Sequence, residues 1–247
     1  MAKNWSRTKI KNGICEFTLS SWNDFSDFID TEMLDYRSYI YRGHKSEEWL
    51  LEPTLNRLVK SKTKANLKEI REEHLLKFRY ALRGRIQDSV KYKDEDELWA
   101  LGQHNGLATP LLDWTSSPYV AAYFSLIEPR EESGFSFVYT INKNSIDDFR
   151  DLKIVNPITD ENTRLINQSG LFVKVLTNQD IEKMYRRKYK EVTIDFEMIK
   201  IKIPNKDREI ALRSLNRMNI NHNTLFPDIQ GASIHCNNEI EIDKKQT

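Results

Sequence analysis

At Tyr41-Arg42-Gly43 a short hydrophobic run ends in an arginine followed directly by a glycine. A guanidinium is a planar fork of five donors, a shape that grips a phosphate through two bonds at once. Gly43 leaves the backbone free to turn sharply after it. A strand-end arginine paired with a neighbouring acid would look the same, and the tripeptide alone does not choose between the two.

The densest polar stretch runs from Gln103 to Pro118 and contains Gln103, His104, Asp113, Thr115 and Ser116 around the short apolar run Leu111-Leu112. Asp113 sits between Leu112 and Trp114, so the expectation is a carboxyl against an apolar wall, a setting that favours its protonated form. Thr115 and Ser116 fall where a strand gives way to a helix beginning at Pro118, and backbone donors and hydroxyls there suit an anion. Ordinary helix capping would use the same residue types. Two smaller clusters follow, Arg164 to Phe172 around Gln168 and Gly170, and Leu225 to Gly231 with Asp228 in a capping position. Met184 to Lys190 interleaves aromatics with Arg186, Arg187 and Lys188, a composition suited to phosphate contact and base stacking on RNA or DNA, or simply to a solvated helix face. The five histidines show no metal-ligand spacing, so no metal is expected.

The elements that must position these residues follow from periodicity and punctuation. Strands are expected at Ile14–Leu19, Ser38–Gly43, Leu111–Trp114, Phe135–Ile141, Gly170–Leu176 and Phe196–Ile203. Helices are expected after a Ser20 or Ser21 cap, over Asn66–Val90, Asp94–Gln103, from Pro118, and over Gln179–Lys190 and Lys206–Met218. Eight glycines in 247 residues are few, and Gly43, Gly106, Gly170 and Gly231 each lie in a polar-aromatic cluster. Helices early and strands late argue against a doubly wound parallel sheet. The expectation is α+β: a single domain over residues 1–236 with a split, mainly antiparallel sheet flanked by helices, and a polar tail over 237–247.

Hydrophobic residues make up 39%, aromatics 11% and charged residues 30%, enough to bury a core and to exclude disorder. A formal net charge of +1 excludes a globally basic nucleic-acid binder but not a local patch. Two cysteines exclude a disulfide framework. No apolar run reaches the roughly 18 residues of a membrane span, and no apolar leader follows Met1, so a cytoplasmic protein without membrane association is expected.

Taken together, the clusters resemble the FRG domain. Tyr41-Arg42-Gly43 matches its name motif, followed by Trp49 and a Pro53…Leu55…Arg57 run, Gln103 to Thr115 its long central signature, Arg164…Gln168-Ser169-Gly170…Phe172 a later segment and Leu225-Phe226-Pro227-Asp228 its close. The resemblance spans 41–232, with Ala108 in place of a usual proline and Pro110 in place of a usual arginine. More distantly, Tyr41-Arg42-Gly43 and Thr115-Ser116-Ser117 with Ala121 and Phe124 look like the first two motifs of ADP-ribosyltransferases. The acidic third motif has no counterpart, since Gln168 stands in that turn.

The resemblance implies an ADP-ribosyltransferase-like fold and NAD as substrate. Arg42, Gly43, Gln103, Thr115 and Ser116 would bind it, and Asp113, His104 and Gln168 would be the catalytic residues. Asp113 or Asp228 would replace the missing glutamate. It also implies a bacterial toxin or anti-phage effector acting on nucleic acid or protein under an antitoxin or other regulator. The alternatives are a non-catalytic nucleotide-binding or sensor module, and a nuclease built on His104 and Asp113. The expectation most open to geometry is that Arg42, His104, Asp113, Thr115 and Gln168 line one cleft.

Overall fold

A computed structural model describes residues 3–60, 67–86, 94–129, 131–158 and 163–243. Eight strands form one sheet: β1 (Trp5–Arg7), β2 (Ile14–Leu19), β3 (Tyr39–His44), β4 (Leu111–Thr115), β5 (Phe135–Asn142), β6 (Leu152–Val155), β7 (Gly170–Val175) and β8 (Met198–Pro204). Their order is β1-β2-β8-β5-β3-β4-β7-β6, antiparallel at every pairing except β2 with β8. The split expected in the sheet lies between β3 and β4. Tyr41 opposite Thr115 is the single register pair joining them, whereas β3 meets β5 over six pairs.

Side-chain alternation divides the core between the two faces. Tyr39 and Tyr41 on β3 and Val138 on β5 turn to one face, with α1 (Asn23–Phe28), α5 (Pro118–Leu126) and α8 (Arg208–Arg217) packed over it. Ile40, Phe137 and Tyr139 turn to the other, covered by α7 (Ile181–Lys188) through Ile181, Met184 and Tyr185. Under the β4-β7-β6 half, Leu111 and Phe172 join a third cluster with α2 (Thr54–Lys60), α3 (Leu67–Ala81) and α4 (Glu95–His104).

Several elements depart from their expected form. Neither Ser20 nor Ser21 caps α1. Ser21 instead donates its N–H and hydroxyl to Asp24 at 2.8 and 2.9 Å, so the acid inside the helix holds the serine. The long helix expected over Asn66–Val90 is α3 over Leu67–Ala81, with 66 and 87–90 outside the described residues. Beyond the short α6 (Thr163–Asn167) and α9 (His222–Leu225), most of the polar tail is helical: α10 runs Ile229–Asp243, its first turn capped by Asp228, which accepts the Gly231 N–H at 2.8 Å. Composition missed it because an end cap and a packed neighbour can sustain a helix of low hydrophobicity. The three- and four-residue strands β1 and β6 and the short α2 carry too few residues to show a period.

Among the described residues no helix is long and apolar enough to cross a membrane.

Candidate functional site

The cleft opens where β3 and β4 part. Beyond the Tyr41–Thr115 pair the two strands are unpaired, and the guanidinium of Arg42 fills the gap. Its Nη1 donates to the backbone carbonyl of Asp113 at 2.5 Å and lies 3.7 Å from the Asp113 carboxylate. A side chain thus replaces a missing ladder bond, and the ladder's failure opens room for a ligand. Beside it a cavity of about 420 Å³ receives Arg42, Gln103, His104, Asp113, Thr115 and Gln168 along its wall. The five residues expected to share one cleft do share it, although 71 positions separate Arg42 from Asp113.

Gly43 shows why the sequence must have glycine after the arginine. A Cβ there would stand 2.1 Å from the Ala121 carbonyl oxygen and 2.7 Å from the Ser125 nitrogen, so its absence lets α5 lie against β3. The residue sits on the cleft wall, but its role is close packing, with no ligand contact needed to explain it.

Asp113 is not held against an apolar wall. Its side chain is 62% exposed, and its two oxygens accept from the Gln103 amide at 3.2 and 3.1 Å. Gln103 is fixed in turn by the buried Thr109 hydroxyl, which donates to its Oε1. The pleat accounts for the difference: Leu112 and Trp114 turn to the core face and leave Asp113 on the other, between the α4 end and Arg42. Gln103 therefore orients the carboxylate, a role that sequence proximity to His104 did not suggest.

Thr115 and Ser116 do not present free hydroxyls to a ligand. Thr115 is buried, donating to the Gln168 carbonyl at 2.7 Å and accepting the Ser117 N–H at 3.0 Å. Ser116 is absent from the described cleft wall, and its hydroxyl donates to the Ser169 carbonyl at 3.3 Å. Ser117 caps α5. The anion site expected from these hydroxyls is instead a clasp that ties β4 to the turn before β7. Gln168 contributes through its carbonyl, while its amide donates to the Leu225 carbonyl at 3.0 Å. His104 is half-buried on the cleft wall at the end of α4.

Asp228 does not supply a cleft acid. It accepts from Arg164 Nε at 2.9 Å and from Nη2 at 2.5 Å, besides capping α10. The Gly231 N–H and the Arg164 guanidinium hold its carboxyl below the usual carboxylate range. Asp113 is thus the one carboxylate on the described cleft wall, against the cations Arg42, Lys45, Arg57 and Arg164.

His44, new to the site, and Trp49 and Arg57, which the sequence offered only as positions of the FRG pattern, complete it. His44 follows Gly43 and is buried with its ring edge-on to Tyr139 and Trp49. Burial, then the charge of Arg42, pushes its pKa down to about 3, so the ring is neutral. Trp49 stands 47% exposed on the wall, and Arg57 enters from α2. Arg42 Nε, His44 Nδ1 and Trp114 Nε1 are buried without a partner, and all three belong to cleft residues. Orphaned polar groups cost about 1–3 kcal/mol each, and the cleft carries three of the eight such atoms among the described residues. The signals in the sequence were that His44 adjoins Tyr41-Arg42-Gly43 and that Trp49 and Arg57 match the FRG pattern that follows it.

The basic stretch on α7 lies elsewhere. Arg186 pairs with Glu182 at 2.6 Å, Lys188 donates to the Asp148 carbonyl at 3.2 Å, and none of Arg186, Arg187 and Lys188 is on the cleft wall. The interleaved Met184 and Tyr185 are core residues. Among the described residues, no group of three His, Cys, Asp or Glu side chains is placed to share a metal ion.

Residues 37–134 match the family model of the FRG domain, a stretch that contains every cleft residue from Arg42 to Thr115 and leaves Gln168 and Asp228 beyond it. No curated protein and no solved structure matches the chain.

Proposed function

We propose, from the premise that this chain carries an FRG domain, that the cleft binds NAD and that the protein is an ADP-ribosyltransferase acting on a macromolecule, nucleic acid or protein. The observation that carries the reading is the Arg42–Asp113 pair, a phosphate-binding fork and the one described cleft carboxylate, set side by side where the sheet splits. The likeness of Tyr41-Arg42-Gly43 and Thr115-Ser116-Ser117 to transferase motifs supports it.

The residues present fit the substrate at its phosphates. Among the described residues only Nη1 of the Arg42 guanidinium is bonded, and the side chain, 21% exposed, lines the cavity, so an anion there would meet its remaining exposed donors. Burial lowers the pKa of its guanidinium and the Asp113 charge opposes that shift, so an anion bound here would also restore what desolvation costs. When bound, NAD supplies a nicotinamide that leaves with the electron pair of its ribose bond and makes that ribose carbon cationic. Asp113, held by Gln103, is the group positioned to stabilise that charge and to take the proton of an incoming acceptor nucleophile. His104 and Gln168 flank the same space, Gln168 with its amide already tied to Leu225. A toxin or anti-phage role, cytoplasmic location and a controlling antitoxin belong to this proposal.

A second reading, a nucleotide-binding or sensor module without chemistry, is favoured by one feature: Gln103 occupies both oxygens of Asp113. Incubating the protein and cell extract with NAD labelled in its adenosine half separates the two. Label appearing on protein or nucleic acid supports the transferase. NAD bound and unconsumed supports the module, and nucleic acid degraded without NAD points to a nuclease using His104 and Asp113.

A further inference from the structure

We infer that Arg57 forms a two-guanidinium clamp with Arg42, and that the clamp's ligand is a diphosphate, two linked phosphates, in preference to a single phosphate. The inference deepens the nucleotide reading of the cleft and rests on it for the ligand's organic part only.

The backbone that carries Arg57 is fixed in the wall. The helix that carries it is pinned from both sides: Leu55 N–H donates to the Thr109 carbonyl at 3.2 Å, and Thr109 N–H donates to the Thr54 hydroxyl at 3.2 Å. The neighbouring Asn56 is wholly buried, donates to the Thr177 carbonyl at 2.7 Å and accepts from Arg71 at 3.1 Å. Leu55 and Val59 sit in the cluster with Trp99, Leu111 and Phe172. Thr109 also holds Gln103, so α2 is in register with the Gln103–Asp113–Arg42 chain.

Charge balance separates Arg57 from its neighbours. Lys45 pairs with Glu128, Arg164 with Asp228 and Arg42 with Asp113. The exposed Arg57 side chain has neither ion pair nor hydrogen bond among the described residues, yet it lines the same cavity. Its field reaches the site, depressing the pKa of both Arg42 and His44 behind burial and nearer charges. Two guanidiniums facing one cavity repel unless an anion lies between them. One phosphate is served by one bidentate fork, and Asp113 already shields that of Arg42. A diphosphate spreads its charge over two phosphorus centres and matches two forks.

The test is calorimetric titration of the whole protein with inorganic pyrophosphate, orthophosphate and ADP-ribose, repeated on Arg57→Gln and Arg57→Lys with unfolding midpoints for each. The wild type should prefer pyrophosphate to orthophosphate by about tenfold or more. Arg57→Gln should abolish that preference with its midpoint unchanged or raised, and Arg57→Lys should fall between. A wild type without the preference, an Arg57→Gln that keeps it, or loss accompanied by a fallen midpoint would each overturn the clamp. A clamp that behaves as described in a protein that never consumes NAD sinks the transferase alone. Transfer activity with NAD affinity indifferent to Arg57→Gln sinks the clamp alone.

Discussion

Arg42 bonds the backbone carbonyl of Asp113 at 2.5 Å and stands 3.7 Å from the carboxylate of the same residue. One guanidinium thus mends the gap between two strands and faces the only described acid of the cavity those strands enclose. Structural and binding roles are joined in a single side chain, and substitutions there should show both.

Arg42→Lys should weaken binding of NAD and of ADP-ribose about ten- to hundredfold, because an ammonium cannot hold a phosphate and a carbonyl in one plane; a charge-assisted bond is worth roughly 1.5–3 kcal/mol. It should also lower the unfolding midpoint, since the Asp113 carbonyl loses its partner. Calorimetric titration and a melt on the same variant check the two effects together. Unchanged affinity with a lowered midpoint would make Arg42 structural only.

Thr115→Val should cost about 1–3 kcal/mol in denaturant unfolding, since the Gln168 carbonyl and the Ser117 N–H both lose their partner. Ligand affinity in the variant that remains folded should hold near wild type. A large affinity loss without loss of stability would return Thr115 to the ligand.

Much of this was legible in the chain. Arg42, Gly43 and the Gln103–Thr115 stretch announced themselves by polar residue types gathered at the ends of apolar runs, and the strand and helix carrying them fell within a residue or two of expectation. What each side chain does was not legible, because that depends on which neighbour reaches it first. Thr115 and Ser116 are spent on the Gln168–Ser169 turn more than fifty residues later, and Asp228 is spent on Arg164. Arg57 stood in the chain only as a position of the FRG pattern; that no other described residue pairs with its side chain is something spacing does not show.

Gly43→Ala should destabilise by about 1–3 kcal/mol or more, as the added methyl meets the α5 backbone at 2.1 Å from the Ala121 oxygen and cannot be turned aside like a side-chain tip. Denaturant unfolding reads it directly. A neutral result would mean that α5 stands off from β3 in solution.

Wild-type stability should fall as pH drops from about 6.5 towards 3. Below its ordinary value of 6.5 the unfolded chain protonates His44, while the folded chain, with that pKa pushed down to about 3, does not. The unfolded state therefore binds more protons across that window, and stability is lost as the pH falls. His44→Phe should flatten the pH dependence by up to one proton, about 1.4 kcal/mol per pH unit. Parallel slopes in the two proteins would show that His44 accepts a proton when folded.

The account turns on Asp113 acting in an NAD-consuming step, and the release of nicotinamide from NAD by wild type and Asp113→Asn, in the presence of cell extract, measures that step. The wild type should release nicotinamide, and Asp113→Asn should do so about a hundred- to ten-thousandfold more slowly while still binding NAD. No release by the wild type, or equal release by both proteins, contradicts the account.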